Sequence, residues 1–156
     1  MDDLNFDFQK ILVGIDGSEY SMDAARLGTL LAKKYGARLY LVNVIDFPGY
    51  SAISDPSMSK TVESVIDSLK SKAKKKAEEL LSNVSSVASK ENVEFEVQVI
   101  GDGSSVAGSI TEFAKNNDID LIVVGSRGLG GFKRMLVGSV SQEIINHAHC
   151  SVIVLR

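Results

Sequence analysis

Short apolar runs alternate with longer amphipathic stretches along this chain of 156 residues. Four runs are nearly continuous in Val, Ile and Leu, a pattern typical of strands covered on both faces. They lie at residues 10–16, 37–46, 121–126 and 151–156. A fifth run, residues 93–100, alternates apolar and polar positions and therefore predicts a half-exposed or edge strand.

Apolar residues recur at helical spacing between these strands. The spacing predicts helices over residues 18–35, 58–90, 104–117 and 139–147, and Gly36 is a natural stop for the first of them. The second helix contains "KSKAKKKAEE", which we interpret as a solvated face in preference to a basic binding patch, because acidic residues follow the lysines directly.

The resulting order, β-α-β-α-β-α-β-α-β, predicts an α/β fold with a parallel sheet and helices on both of its faces. In such open sheets, ligands bind beyond the carboxyl ends of the strands, where the strand order reverses. The segments "GIDGS", "VNVID" and "VVGSRGLGG" end three of the predicted strands and are expected to meet there. The long loop at residues 47–56 has turn chemistry and is expected to be mobile.

Composition narrows the class of protein. The length favours a single domain over residues 1–156, and 44% hydrophobic with 24% charged residues is ordinary for a globular protein. A net charge of −3 gives no reason to expect nucleic acid as a partner. The single cysteine, Cys150, suits a reducing compartment. No leader and no membrane span are predicted, so we expect a cytoplasmic location.

The stretch "GSRGLGGFKRMLVGS" is the strongest chemical signal. Gly125 and Gly128 remove side chains where the chain turns, so backbone N–H groups can approach a ligand. Gly138 and Ser139 then open the last helix, whose N-terminus suits a phosphate, and hydroxyls of Ser139 and Ser141 would add donors. The alternative is a flexible loop with Ser139 as a simple N-cap.

Other phosphate-binding patterns fit poorly. Neither Gly125 nor Gly128 begins a Walker A sequence, and the G-x-G-x-x-G dinucleotide pattern is missing. The stretch "GDGSSVAG" follows a strand and opens a helix, but it lacks the third glycine. We interpret it as a turn in which Ser104 is the N-cap.

Asp16 ends the first strand, in the predicted cleft. Its carboxylate would bind ribose hydroxyls or support a metal ion on the phosphates; capping of the helix that begins near Ser18 is the alternative. The stretch "HAHC" offers only three close metal ligands, so His147 and His149 are expected to end a helix and Cys150 to pack at a strand start.

Taken together, these residues resemble the universal stress protein family over nearly the whole chain. Nucleotide-binding members of that family carry G-x2-G-x9-G-[ST], which Gly125, Gly128, Gly138 and Ser139 satisfy at every position. The stretches "ILVGIDGSE" near the start and "SVIVLR" at the end add to the resemblance.

The resemblance implies a Rossmann-like, adenine nucleotide alpha hydrolase-like fold with a five-stranded parallel sheet of order 3-2-1-4-5. It implies a homodimer paired through the last strand, residues 151–156. It also implies an ATP site with Mg²⁺ or Mn²⁺, the metal being held through the phosphates with Asp16 nearby. The implied nucleotide-binding residues are Gly14, Ile15 and Asp16 beside the adenosine, Val44 and Val124 against the adenine, Gly125, Ser126, Arg127, Gly128, Leu129, Gly130 and Gly131 around the ribose and phosphates, and Ser139, Val140 and Ser141 as phosphate donors.

Three functions are consistent with these residues. The first is an ATP-binding stress-response protein that acts as a nucleotide-dependent switch on an unidentified protein partner, with little or no hydrolysis. The second is a slow metal-dependent ATPase or phosphotransferase, in which Asp16 orients a metal and Ser139 lies near the terminal phosphate. The third is a dimeric adaptor that binds no nucleotide, which the intact glycine motif disfavours. No general base is evident beside the motif, so the switch is preferred.

Overall fold

A computed structural model describes residues 7–46, 60–101, 105–130 and 136–156. The elements follow the predicted order of alternating strands and helices. Their bounds are β1 Lys10–Gly14, α1 Glu19–Tyr35, β2 Arg38–Ile45, α2 Lys60–Lys90, β3 Phe95–Gly101, α3 Val106–Asn116, β4 Leu121–Gly125, α4 Ser139–His147 and β5 Ser151–Leu155. The predicted loop at residues 47–56 and the predicted start of α2 at residue 58 lie outside the described residues.

The five strands form one parallel sheet of order β3-β2-β1-β4-β5, which confirms the predicted fold class and strand order. In the central register, Val13 of β1 lies between Leu41 of β2 and Val123 of β4. The chain goes outward from β1 to β2 and β3, then crosses to β4 and β5 on the other side. The strand order therefore reverses between β1 and β4, and this is where a ligand crevice is expected.

The sheet separates two apolar layers. Helices α1 and α2 cover one face, where Ala25 and Leu81 pack with Val13 of β1. Helices α3 and α4 cover the other face, where Ile110 and Ile144 join a second cluster. The middle of β1 and most of β4 are buried on both faces, so the loops at their carboxyl ends are the parts placed to meet a ligand.

Local signals set most helix ends. The Ser18 side chain caps α1 by accepting from the Ser21 N–H, and Gly36 ends that helix in the left-handed conformation. The predicted N-cap of α3 is wrong by one residue. The Ser105 hydroxyl accepts from the Gly108 N–H and serves as the cap, because it stands three residues before that N–H in extended backbone; Ser104 lies outside the described residues.

The two edge strands, β3 and β5, have different sequence patterns. β3 is an edge strand with exposed and half-buried positions, as its alternating sequence predicts. β5 has a continuous apolar sequence, yet in the single chain it is also an edge strand and only partly buried. The lysine-rich face of α2 is exposed as predicted. Within the described residues, no helix is both long enough and apolar enough to cross a membrane.

Candidate functional site

The loops after β1 and β4 meet at the predicted crevice. Gly128 lies so close to Asp16 that a Cβ atom on the glycine would be 2.7 Å from the carboxylate Oδ2. The two residues are far apart in the sequence, but β1 and β4 are neighbours in the sheet and their carboxyl ends share one edge. The structure thus brings together Asp16 and the glycine loop, which the sequence analysis assigned to the same site.

Within the described residues, the Asp16 carboxylate is anchored through its Oδ1. Its Oδ1 accepts from the Ser18 N–H at 2.9 Å and from the Ser18 hydroxyl at 2.6 Å. Ser18 is itself the N-cap of α1, so the capping interpretation of Asp16 and its binding interpretation are compatible. Oδ2 faces the glycine loop. Asp16 is exposed, so this oxygen can accept a hydrogen bond from a ligand hydroxyl.

Gly125 is required for the packing of α1 on β4. A Cβ atom at this position would lie 2.6 Å from the Tyr20 Cβ and 2.8 Å from the Tyr20 backbone carbon. Helix backbone and strand end therefore touch where any side chain would separate them. This contact sets the position of the first turn of α1 relative to the loop that begins at Ser126.

Hydrogen bonds tie both ends of the loop to the fold. The Ser126 N–H donates to the Leu155 carbonyl, and the Ser126 carbonyl accepts from the Gly138 N–H, each at 2.6 Å. The Ser141 hydroxyl donates to the Gly125 carbonyl at 2.6 Å. The start of α4 is consequently held against the end of β4. The Ser141 hydroxyl is engaged in this contact, so its backbone N–H is the group that remains for a ligand.

The N-terminus of α4 lacks a side-chain cap. Gly138 occupies the N-cap position, and no side chain of the described residues accepts from the first turn. The N–H groups of Ser139, Val140 and Ser141 have no intrahelical partner, because the first bond of the helix comes from Gln142 to the Gly138 carbonyl. By contrast, serine side chains cap α1 and α3. Unpaired N–H groups with the positive end of the helix dipole favour an anion.

The predicted adenine-contacting residues share one face of the sheet. Val44 and Val124 belong to the same apolar cluster, and a Cβ on Gly14 would lie 3.1 Å from Val124 Cγ1. Ile15 differs, because its side chain is buried in the opposite layer with α1 and α2. Its N–H donates to the Val42 carbonyl and its carbonyl accepts from the Asn43 side-chain amide, so both of its backbone polar groups have partners within the fold.

The middle of the loop is more open. Leu129 is 74% exposed, and Gly130 has open space around it. The Arg127 guanidinium carbon lies 5.8 Å from the ring centroid of Tyr20. Gly131, the last predicted residue of the loop, lies outside the described residues. The framing glycines are therefore the parts of the motif that tertiary contacts constrain.

Three supporting residues were not singled out as site residues from the sequence. Ser18 anchors Asp16, Tyr20 contacts both Gly125 and Arg127, and the Asn43 side-chain amide donates to the Ile15 carbonyl at 2.7 Å. Ser18 carried a usable signal, because it was expected to begin a helix directly after Asp16. Tyr20 and Asn43 carried none, since their roles depend on contacts between separate strands and loops.

The "HAHC" segment lies at the opposite end of the sheet. His147 ends α4, and its Nδ1 forms a hydrogen bond with the Glu143 carbonyl at 2.9 Å. Burial and, secondarily, the negative charge of Asp120 raise the pKa of the Cys150 thiol above its ordinary value. Among the residues that the structure describes, no group of three or more His, Cys, Asp and Glu side chains is arranged to hold a metal ion.

Sequence comparison finds relatives over almost the whole chain. The model of the Universal stress protein family matches residues 7–156. A universal stress protein of Methanocaldococcus jannaschii is 31% identical over 96% of this chain and 82% of its own length. Universal stress protein YxiE of Bacillus subtilis is 34% identical over 96% of this chain and 99% of its own length.

Structure comparison finds the same fold. Universal stress protein UspA from Lactobacillus plantarum superposes with a TM-score of 0.84, at 24% identity over 97% of this chain and all of its own. A universal stress protein in complex with cAMP has a TM-score of 0.65, at 19% identity over 96% of this chain and 97% of its own. The Archaeoglobus fulgidus protein in complex with dAMP has a TM-score of 0.66, at 24% identity over 96% of this chain and 99% of its own.

Proposed function

The chain belongs to the universal stress protein family, and from that premise and the geometry of the glycine loop we propose that it binds ATP between β1 and β4. Binding of nucleotides is plausible because structures of family members contain cAMP and dAMP. The preference for ATP, the switch mechanism and the stress-response role are our proposals. A nucleotide-dependent change in the surface of the loop would be recognised by a protein partner.

One observation carries the proposal. The Asp16 carboxylate lies beside the first part of the glycine loop, and the uncapped N-terminus of α4 begins where the loop ends. Asp16 Oδ2 faces Gly128, while Gly138 begins α4 with unpaired N–H groups. A ribose hydroxyl needs an acceptor and a phosphate needs donors, so the polar requirements of a nucleotide match this pair. The Ser126 hydroxyl, only 1% exposed, forms no hydrogen bond within the described part of the chain, which also suits a polar ligand.

In this proposal the residues divide by ligand group. Asp16 accepts from the ribose, with the backbone of Gly14 and Ile15 beside the adenosine, and Val44 and Val124 contact the adenine. The loop from Gly125 to Gly131 encloses the ribose and phosphates, and Ser139, Val140 and Ser141 donate backbone N–H groups to the phosphates. Mg²⁺ or Mn²⁺ would be held by the phosphates, with Asp16 as an indirect support, because Asp16 is the carboxylate that faces Gly128. A bound metal would neutralise part of the phosphate charge.

Three further proposals concern the whole protein. Residues 1–156 form a single domain that acts in the cytoplasm. The protein is a homodimer paired through β5, beside whose outer edge no strand lies within the described part of the chain, so that this edge would otherwise expose backbone hydrogen-bonding groups. Hydrolysis is slow or absent. Sedimentation equilibrium tests the dimer, and a mass equal to that of one chain would exclude it.

The nucleotide proposal is tested first on protein purified without added nucleotide. The protein is denatured, and any released nucleotide is identified by ion-pair chromatography. The emptied protein is then titrated calorimetrically with ATP, AMP, cAMP and adenosine, each with Mg²⁺. We expect ATP to bind most tightly, because its phosphates meet the N-terminus of α4. Gly138→Val provides the comparison, since a Cβ at this position would lie 3.2 Å from the Ser126 carbonyl oxygen.

The outcomes separate the three functions. ATP binding without ADP formation over hours supports the switch. ATP binding with metal-dependent ADP formation that Asp16→Ala abolishes supports the enzyme. No released nucleotide and no heat with any of the four ligands would contradict the nucleotide site and leave the adaptor. A Gly138→Val protein that folds and binds ATP as tightly as the wild type would show that ATP binds elsewhere.

A further inference from the structure

The side chain of Arg127 is directed toward α1. Its guanidinium carbon lies 5.8 Å from the centroid of the Tyr20 ring, within the distance of about 6 Å at which a cation is attracted to a ring face. Arg127 is the second residue of the loop after β4 and is partly buried. The Arg127 guanidinium is thus paired with an aromatic ring of another element.

Tyr20 has little freedom to move away from this position. Its Cβ and backbone carbon pack against Gly125 so closely that no side chain fits between them. The residue also belongs to the first turn of α1, which the Ser18 cap fixes. The Tyr20 backbone and Cβ therefore stay beside the loop, so the pair separates by rotation of a side chain.

The Arg127 backbone is held near two helix N-termini. Its carbonyl lies 3.4 Å from the Ser18 hydroxyl, at the start of α1. Its Cα would be 3.7 Å from a Cβ on Gly138, at the start of α4. Helices α1 and α4 pack on opposite faces of the sheet. The ring that the guanidinium contacts therefore belongs to a helix on one face of the sheet, whereas the N–H groups at the start of α4 belong to a helix on the other face.

We infer that Tyr20 determines how strongly the site discriminates between nucleotides by the number of their phosphates, because it holds the Arg127 guanidinium away from the phosphate position. The inference rests on the proposed nucleotide site and deepens it. A phosphate chain at the N-terminus of α4 attracts the guanidinium, but this pairing requires loss of the contact with the Tyr20 ring. Adenosine carries no phosphate and leaves that contact in place.

The strength of the contact between Arg127 and Tyr20 can be measured. Attraction of a cation to a ring at a partly exposed site corresponds to about a two- to fivefold change in an equilibrium constant. Removing the ring should therefore tighten ATP binding by about two- to fivefold and leave adenosine binding unchanged. The ratio of the two affinities isolates the phosphate-dependent part and cancels effects on the adenosine subsite.

The experiment is a double-mutant cycle with ATP and adenosine as probes. Wild type, Tyr20→Leu, Arg127→Gln and the double variant are titrated calorimetrically with each probe and Mg²⁺. Tyr20→Phe is the matched control, because it keeps the ring and should behave as the wild type. We expect Tyr20→Leu to raise the ATP-to-adenosine affinity ratio, and to have no effect on the ratio when Arg127 is already Gln.

A second measurement does not depend on the folding of a variant. In ¹⁵N-labelled wild-type protein, ATP should move the Arg127 Nε–H resonance out of the ring-current field of Tyr20, while adenosine should leave it in place. An unchanged or lower ratio in Tyr20→Leu, or a resonance that ATP does not move, would overturn the role of Tyr20 even if ATP binds. Wild-type protein that binds neither probe would overturn the proposed function and this inference together.

Discussion

The two carboxylate oxygens of Asp16 have different surroundings. One is bound by the backbone N–H and hydroxyl of Ser18, and the other faces Gly128 across the crevice. Because the anchored oxygen fixes the orientation of the group, the facing oxygen is positioned before a ligand arrives. Such preorganisation lowers the ordering cost of binding. The glycine that faces the proposed ligand position also leaves room for this carboxylate.

Two glycines of the loop form a matched pair for testing that arrangement. Gly128→Ala would place a Cβ 2.7 Å from Asp16 Oδ2 and displace the carboxylate, whereas no described residue lies within 4 Å of a Cβ in Gly130→Ala. We expect about tenfold weaker ATP binding in Gly128→Ala and unchanged binding in Gly130→Ala, measured calorimetrically. Equal affinities in the two variants would show that the position of Asp16 does not matter for binding.

Cys150 gives a second test at the residue scale. Burial and the charge of Asp120 raise the pKa of its thiol, so the native state keeps the thiol proton to higher pH than the unfolded chain does. Because the native state binds this proton more tightly, the free energy of unfolding falls as the pH rises from the unfolded pKa of the thiol to its folded pKa. We expect the pH midpoint of iodoacetamide alkylation to be higher in native protein than in protein unfolded in urea.

Asp120→Asn is the control for Cys150, because it removes the charge while its amide oxygen can still accept from the backbone of Gln9 and Lys10. The alkylation midpoint should fall in that variant. A native midpoint at or below that of the unfolded chain would contradict the raised pKa of the thiol.

At the scale of elements, the contact between α1 and β4 positions the loop. Gly125 lets the first turn of α1 touch the strand, and Ser18 caps that turn while binding Asp16. One helix N-terminus thus contributes both to folding and to the site. α4 differs from α1, because a glycine occupies its N-cap and no side chain in the described ranges is bound to its first turn.

Gly125→Ala should destabilise the fold, because its Cβ would overlap the Tyr20 backbone, which cannot rotate away. We expect a loss of about 1–3 kcal/mol in the free energy of unfolding, measured by urea titration. Gly101→Ala at the end of β3 is the matched control, since none of the residues that the structure describes lies within 4 Å of a Cβ there. A Gly125→Ala protein as stable as the control would mean that α1 can shift without cost.

Removal of the N-caps of α1 and α3 distinguishes an effect on stability from an effect on ATP binding. Ser18→Ala and Ser105→Ala each remove a side-chain cap and should each cost about 1 kcal/mol of unfolding free energy. Only Ser18→Ala also removes the hydroxyl bond to Asp16 Oδ1, leaving the backbone N–H bond, so only that variant should weaken ATP binding in calorimetry. Equal ATP affinities in the two variants would exclude Ser18 as the anchor of the site.

At the scale of the whole molecule, the site depends on strand order more than on any one element. The reversal of order between β1 and β4 leaves a crevice, and the loops after these strands close it from both sides. The loop after β4 is the more open part, with Leu129 exposed to solvent. A nucleotide that contacts both loops would order this part while leaving the sheet unchanged.

Hydrogen exchange followed by mass spectrometry tests this expectation. ATP should slow exchange in the peptides that cover Gly125–Gly130 and the first turn of α4, because their N–H groups gain partners. Peptides from the opposite edge, β3, should exchange at the same rate with and without ATP. Identical exchange over the whole chain at saturating ATP would exclude a nucleotide-dependent switch.

The sequence by itself determined the order of the strands and helices, and its motifs identified the framing glycines and Asp16. Hydrophobic period, caps and glycine stops act over a few neighbouring residues, so they can be recognised without a fold. The resemblance to universal stress proteins supplied the sheet order. The N-cap of α3 was predicted at Ser104, one residue too early. Two adjacent serines are equivalent as caps in the sequence, and the backbone conformation makes Ser105 the cap.

Only the tertiary structure decided which groups meet at the crevice. It placed Asp16 Oδ2 against Gly128, directed Arg127 toward Tyr20, engaged the Ser141 hydroxyl with Gly125 and put the Ile15 side chain in the opposite layer. These contacts join residues that are distant in the sequence, and they depend on strand register and on how closely α1 approaches β4. Local sequence patterns carry no information on such distances, because they arise only when the sheet is assembled.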